Sequence, residues 1–532
     1  MNKIARYLNE HTYGSVFSAD RILEDYSTDC SVLKIKPGVV ALPSSTEDIR
    51  KILRFADQLT YRNVPTSVTV RGSGRDKTGA CLGSGIILSM QNMTRISEID
   101  VRQRLVRCQA GVTLGQLNSA LALHGLTLNI SGDPSETIGG LISNAGRDDS
   151  DKTLKNIHHC LEKAELVLPT GDILQTETHK AKVLKLIKTQ SNAEGRLYRN
   201  LANLISDHSD TIEDFLNPTV VTPVGYSSIA RLMRENGTFN FAPLLFSSQG
   251  TLAVIAEVIL RCEFLAAPPS YFFAKFTNID DALEFANSAT DLHPATLDIY
   301  DLSILRKVKN AGKTLRPLDV DTEHPGFLIA VSFSDIKPGH RRKKLRSLSS
   351  FVESAKQTAV SSDDNYEGFT ELHAILLTYL NDTVKTTRVP LADGAFVPTS
   401  RFGTYLKGLK AIEESYECEL HIFGSYLTNT YSVRPDVNLG SITGRRFILG
   451  FLRDYHKLLD GIGGSIAGDA PEGRVKGLVT TPILDEKLVQ IYTEVKKIFD
   501  PRGILNPGVK LDVNLRSTIR ALRTSIDSGI IT

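Results

Sequence analysis

The chain has 532 residues, with 62 Lys and Arg against 60 Asp and Glu and a formal charge of +2, which leaves no electrostatic footprint for nucleic acid. Six cysteines at 30, 81, 108, 160, 262 and 418 form no CxxC pair; this excludes a zinc ribbon, an iron–sulfur cluster and a thioredoxin-type site and fits free thiols in a reducing compartment. No window holds eighteen consecutive apolar residues and the N-terminus lacks a signal-peptide core, so the expectation is a cytoplasmic protein, at most peripheral at the inner face of a membrane.

In chain order, "KPGVVALPSSTEDIRKILRFADQL" predicts a short strand, a turn and a helix. Ser44 and Ser45 cap that helix, and Ile49, Ile52, Leu53 and Ala56 form its apolar stripe. "TSVTVRGSG" is a β-branched strand entering a glycine turn; "GIILSM" and "LVRCQAGV" are strands, and "TLGQLNSALALHG" is a helix closed by Gly125. "AELVLPTGDILQTE" predicts a hairpin turning at Thr170–Gly171–Asp172, and "TLAVIAEVILRCEF" a long strand. A boundary falls at "FLAAPPSY". Beyond it, "YFFAKFTNIDDALEFANSA" is strand, turn and helix. "TLDIYDLSIL", "GFLIAVSFS" and "CELHIFGSYL" are strands, with a Lys/Arg-rich helix from His340 between the last two. This alternation suggests a second α+β domain, an antiparallel sheet with helices on one face. Near the end, "EKLVQIYTEVKKIF" is an amphipathic helix stopped at Asp500–Pro501, and the tail carries Leu515, Ile519, Leu522 and Ile526 on one side.

Two stretches carry chemistry. "VRGSGRDKTG", Val70 to Gly79, lets consecutive N–H groups converge on an anion, although its spacing matches neither a Rossmann fingerprint nor a Walker loop; a tight structural turn is the alternative. "DPSETIGGLISNAG" sets Gly139 and Gly140 beside Thr137 and Ile138. It reads equally as a wall for a flat ring, with N–H groups for ring heteroatoms, or as a buried glycine turn.

With "SSQGTLAVIAEVIL" and "FDPRGILNPGVK", these stretches resemble, from about residue 37 to 510, the flavoprotein superfamily of vanillyl-alcohol oxidase and para-cresol methylhydroxylase (PCMH). The nearest branch is that of FAD-linked D-lactate dehydrogenases and glycolate oxidase subunits. The resemblance implies an α+β fold: an N-terminal segment (1–36), a two-lobed PCMH-type FAD-binding domain (37–263), an α+β cap domain (264–470), and a segment (471–532) returning to the first domain. It implies that Arg71, Gly72, Ser73, Gly74, Arg75, Asp76, Thr78 and Gly79 hold the pyrophosphate of FAD. Pro134, Thr137, Ile138, Gly139, Gly140 and Asn144 then lead to the flavin, Gly250 to Ile255 border the adenine, and Asn506 reaches toward the ring. The loop has no His for a covalent link, so FAD is expected to be non-covalent.

The sequence departs from that branch where substrate chemistry is expected. Ser425, Thr430 and Ser432 replace a His–Asn–His pattern, so no metal site is expected. In "GGSIAGDAPEGR", read as a cap strand and loop, Asp469 and Ala470 replace Glu and His; Gln249 replaces Glu, and "ELHAILLTYL" lacks a Trp and Arg pair. Candidate catalytic residues are Tyr431, Asp469 and Glu472, and candidate substrate-binding residues are Arg434, Arg474 and Tyr426, with Asp393 and His421 nearby. The expected activity is FAD-dependent oxidation of a hydroxyl-bearing small molecule by hydride transfer to flavin N5, the substrate being a 2-hydroxy acid by family default, or a sugar or polyol. The alternatives are a catalytically degenerate flavin-binding subunit of a complex and a binding protein without flavin. The electron acceptor stays open between oxygen, a quinone and a redox protein, as does the choice between a homo-oligomer and a redox partner subunit.

Overall fold

The computed structural model describes residues 2–130, 132–148, 156–217, 220, 222–234, 236–265, 269–310, 322–354, 358–363, 389–435, 437, 439 and 441–523. Ala266–Pro268 of the expected boundary, "ELHAILLTYL" and Ile526 lie outside them. The chain forms two compact units, one from Met1–Leu265 and Asp469–Arg523, the other from Ala266–Gly468.

The described residues of the first unit form a four-stranded sheet, a five-stranded sheet and a two-stranded pairing of Leu126–Thr127 with Glu263–Phe264. In the four-stranded sheet, Val39–Leu42 and Val68–Arg71 both run parallel to Ile86–Ser89, and Ser15–Phe17 adds an antiparallel edge. The five-stranded antiparallel sheet has the order Ile96–Asp100, Leu105–Gln109, Val254–Arg261, Leu161–Val167, Ile173–Gln175. The Thr46–Tyr61 helix starts where the Ser45 hydroxyl accepts the Asp48 N–H, and it buries Ile49, Ile52, Leu53 and Ala56. A Thr113–Gln116 capping box opens the Leu114–Ala122 helix. One apolar core, including Val39, Val68, Val106, Leu166, Val258 and Ile491, joins the two larger sheets.

The second unit is a seven-stranded antiparallel sheet, in the order Thr358–Asp363, Ser270–Phe276, Phe327–Phe333, Thr296–Asp301, Leu420–Ser425, Thr430–Pro435, Ala392–Phe396. Helices Ile279–Thr290 and Pro338–Ser354 cover the face carrying Phe272, Leu297, Ile299 and Val331. Two expectations are corrected. "TLDIYDLSIL" is not all strand: the Asp301 carboxylate accepts the Ser303 N–H at 2.8 Å, and Leu302–Asn310 turns helical. That helix packs on Tyr271, Phe273, Tyr300 and Leu328, so helices occupy both faces of the sheet.

"GGSIAGDAPEGR" also departs from expectation. It holds no strand, only an isolated bridge from Ser465 to Phe396. The chain passes from the second unit to the first within it, after Gly468.

Candidate functional site

The strand Val68–Arg71 delivers the chain into the glycine loop, and its other edge is held by Val68 N–H to Ile504 carbonyl (2.8 Å) and Asn506 N–H to Val68 carbonyl (2.9 Å). Arg71 is buried, with its guanidinium over the Tyr26 ring at 5.3 Å and against Gly74, where any Cβ would overlap it. Gly74 also has φ +75°, a conformation that favours glycine. The Asp76 carboxylate closes the second half of the loop by accepting the N–H of Thr78 (3.0 Å) and Ala80 (2.7 Å) and the Thr78 hydroxyl. The N–H groups of Ser73, Gly74 and Arg75 donate to nothing among the described residues. Three successive unmatched donors beside a buried guanidinium are the parts an anion cradle requires. Arg75 itself is exposed.

Behind the loop lies a polar hub. Asn506, in the left-handed region at φ +45°, donates to the carbonyls of Ala80 and Gln249, both at 2.7 Å, and accepts from Thr69 and Arg474. Arg474 also donates to the carbonyls of Gly79 (3.2 Å), Leu82 (2.9 Å) and Pro507 (2.9 Å), and burial brings its pKa down to about 10. Gln249 ties Thr78 and Asn144 to the Gly473 N–H. Gly250, at φ +65°, packs on Val70, while Ile255 is buried in the Val254–Arg261 strand.

The segment after Pro134 is a helix start, not a free glycine turn. Thr137 caps Ile138–Ser143, and the N–H groups of Ile138 and Gly139 go to the carbonyls of Val112 and Ala110, both at 2.8 Å. Gly140 donates to the Thr137 hydroxyl. The expected main-chain donors for ring heteroatoms are therefore engaged within the protein. What the segment does supply is proximity: Thr137 Oγ1 fills the space a Cβ at Gly72 would need.

The candidate catalytic and substrate-binding residues are dispersed. Glu472 is 1% exposed, pairs with the buried Lys510 at 3.0 Å and accepts the Gly225 N–H. Arg474 is engaged in the hub. Arg434, 1% exposed, is held through two nitrogens by Asp393 (3.0 and 2.5 Å). Strand alternation then separates the rest. Thr430, Ser432 and Arg434 share one face of the second unit's sheet; Tyr431 faces the other, against Phe402 and Tyr405. Tyr426 packs with Phe272, Leu297 and Val331, its hydroxyl donating to Asn287 at 2.8 Å. Asp469 is exposed, and its backbone abuts Gly146. His421 is fully buried, with Nδ1 3.0 Å from the Ser303 hydroxyl.

Three features were not singled out from the sequence. Lys510 closes a quoted motif but gave no sign of its partner. Asp298 stands opposite Ser425, on the face that carries Thr430 and Ser432, and is hydrogen-bonded to it; burial pushes its carboxyl up to about 7. Asp29, from the N-terminal segment, meets Asp76 and Cys81, with ligand atoms within 4.8 Å of one another. Burial and the neighbouring Asp76 push Asp29 up to about 6, the Cys81 thiol donates to it at 3.4 Å, and Arg71 reaches Cys81, so this cluster shares protons and already carries a cation.

Comparison with known proteins agrees with this architecture. Residues 37–177 match the FAD binding domain model and residues 267–509 the C-terminal domain model of FAD linked oxidases. A D-2-hydroxyglutarate dehydrogenase of Pantoea ananatis is 25% identical over 92% of this chain; the chain spans 49% of that relative, about half its length. A D-lactate dehydrogenase of Archaeoglobus fulgidus is 26% identical, covering 88% of this chain and 90% of its own. Among solved structures, the 4-ethylphenol oxidase of Gulosibacter chungangensis superposes with TM-score 0.65 at 13% identity, covering 97% of both chains; p-cresol methylhydroxylase gives 0.65 at 11%, covering 96% and 95%.

The architecture is that of an FAD-binding, PCMH-type fold. The chain belongs to the FAD-linked oxidases, and FAD is its cofactor. The residues present fit that group: the N–H groups of Ser73, Gly74 and Arg75 have no partner among the described residues and stand in one loop with the buried Arg71, the donors that two phosphates require.

Proposed function

We propose that this FAD-linked oxidoreductase oxidises a hydroxyl-bearing small molecule, a 2-hydroxy acid in the first instance, using non-covalently held FAD. The observation that carries the reading is the glycine loop, with Ser73, Gly74 and Arg75 N–H groups unmatched above the buried Arg71. Relatives named for D-2-hydroxyglutarate and D-lactate support the substrate class. Bound FAD supplies the acceptor for a hydride from the carbon bearing the hydroxyl.

The chain's own residues take the other tasks. Ser73 to Arg75 hold the pyrophosphate, and Arg474, Asn506 and Gln249 keep the loop in shape from behind. Arg434 is already neutralised by Asp393, so it holds the sheet rather than a substrate carboxylate.

The test is the visible spectrum of purified protein, then anaerobic mixing with D-2-hydroxyglutarate, D-lactate, glycolate and polyols. Bleaching of the flavin by a 2-hydroxy acid is the expected result, and bleaching by none overturns the reading. A second reading, a flavin-binding subunit without turnover of its own, is favoured by Ala470 and by the locking of Glu472 to Lys510. Steady turnover by the isolated chain with any electron acceptor ends it.

A further inference from the structure

The helix Ile157–Cys160 packs beside the Ile138–Ser143 helix in the first unit. It presents His158, whose two ring nitrogens are both buried without a hydrogen-bond partner among the described residues. One flank of the ring lies against Phe246, with centroids 4.3 Å apart. Phe246 leads directly into the turn that builds the back of the cradle: Ser247 donates to the Ala145 carbonyl, Gln249 N–H to the Ser143 carbonyl, and the Gln249 amide to Asn144 and Thr78. Asp148 is also near, but it pairs with Arg231 and accepts from Asn156; His159 stands 3.9 Å from it.

Burial holds the His158 imidazole neutral, its pKa brought down to about 4. A neutral imidazole carries one N–H donor and one lone pair. Leaving both buried and unmatched is unfavourable unless a ligand or a bound water completes them. The complement required is a neutral donor–acceptor group, because the anion of the cofactor already has its donors at Ser73 to Arg75. Ring carbonyls, ring N–H groups and ribityl hydroxyls meet that description; phosphate does not.

We propose that His158 hydrogen-bonds the flavin half of bound FAD. The inference rests on reading Thr137 to Asn144 as the flavin-side wall of the cofactor site. The test uses the full chain, stripped of FAD and reconstituted, as wild type, His158→Phe and His158→Gln. Phe keeps the stack on Phe246 and removes both nitrogens; Gln retains a donor and an acceptor.

The expected result is that His158→Phe raises the FAD Kd about 2- to 10-fold, the range for one neutral hydrogen bond. It also shifts the visible flavin band, and the apo-protein melts higher than wild type because an unmatched polar ring is gone. His158→Gln restores affinity. Wild-type affinity and spectrum in His158→Phe overturn the proposal, even with a higher apo melting temperature, since that pattern marks a ring completed by water. Weaker binding with an unmoved flavin band also overturns it, by moving the contact to the adenine half. Failure of the wild-type chain to bind FAD instead removes the cofactor-site reading beneath it, a result distinct from either.

Discussion

Lys510 and Glu472 stand 3.0 Å apart, each at most 1% exposed, and burial holds the Lys510 pKa below its ordinary value. Removing one partner strands a buried charge, which destabilises far more than the intact pair stabilises. Lys510→Met is therefore expected to lower unfolding free energy by about 3–5 kcal/mol. The double variant with Glu472→Gln should recover part of that loss, as read from urea unfolding. Asp29 gives a second residue-scale prediction. Its folded pKa is raised from 3.8 to about 6, so the folded state keeps a proton that the unfolded chain has released. Its contribution to stability therefore falls as pH rises from 3.8 through about 6. Asp29→Asn should raise the urea midpoint at neutral pH, and the gap from wild type should close toward the acid end of that window; a gap that does not change with pH contradicts the assignment. None of this was legible from residue identities, because each partner lies tens of residues away.

Within elements, more could be read. Serine before an acidic first turn marked the Thr46–Tyr61 helix correctly, since its cap and its apolar spacing are both local. Thr137 is a cap of the same kind, and Thr137→Ala is expected to cost about 1 kcal/mol of stability and to weaken FAD retention, measured by flavin content after gel filtration. The strand Thr430–Pro435 shows where local reading was incomplete. Its two-residue period alone puts Tyr431 and Arg434 on opposite faces, so a shared site for both was already improbable from the sequence. What stands beside these residues came from the register, which sets Asp298 opposite Ser425.

For the whole chain, the cofactor reading predicts a stability that follows FAD concentration. Free FAD at about 100 times its Kd should add about 2.7 kcal/mol to unfolding, read as a rise in melting temperature of the stripped protein. Acid or heat precipitation should release all the flavin into the supernatant; flavin retained in the pellet would contradict non-covalent binding. The sequence by itself determined the Thr46–Tyr61 helix, the glycine loop and, through the order of its motifs, the FAD-linked oxidase family, because periodicity, caps and glycine spacing are short-range properties. Only the tertiary structure decided what the charged residues near those motifs do. Glu472, Arg474 and Arg434, each plausible as substrate chemistry when read alone, are held by Lys510, by main-chain carbonyls and by Asp393. A buried charge is defined by its partner, and chain folding brings that partner from far along the sequence.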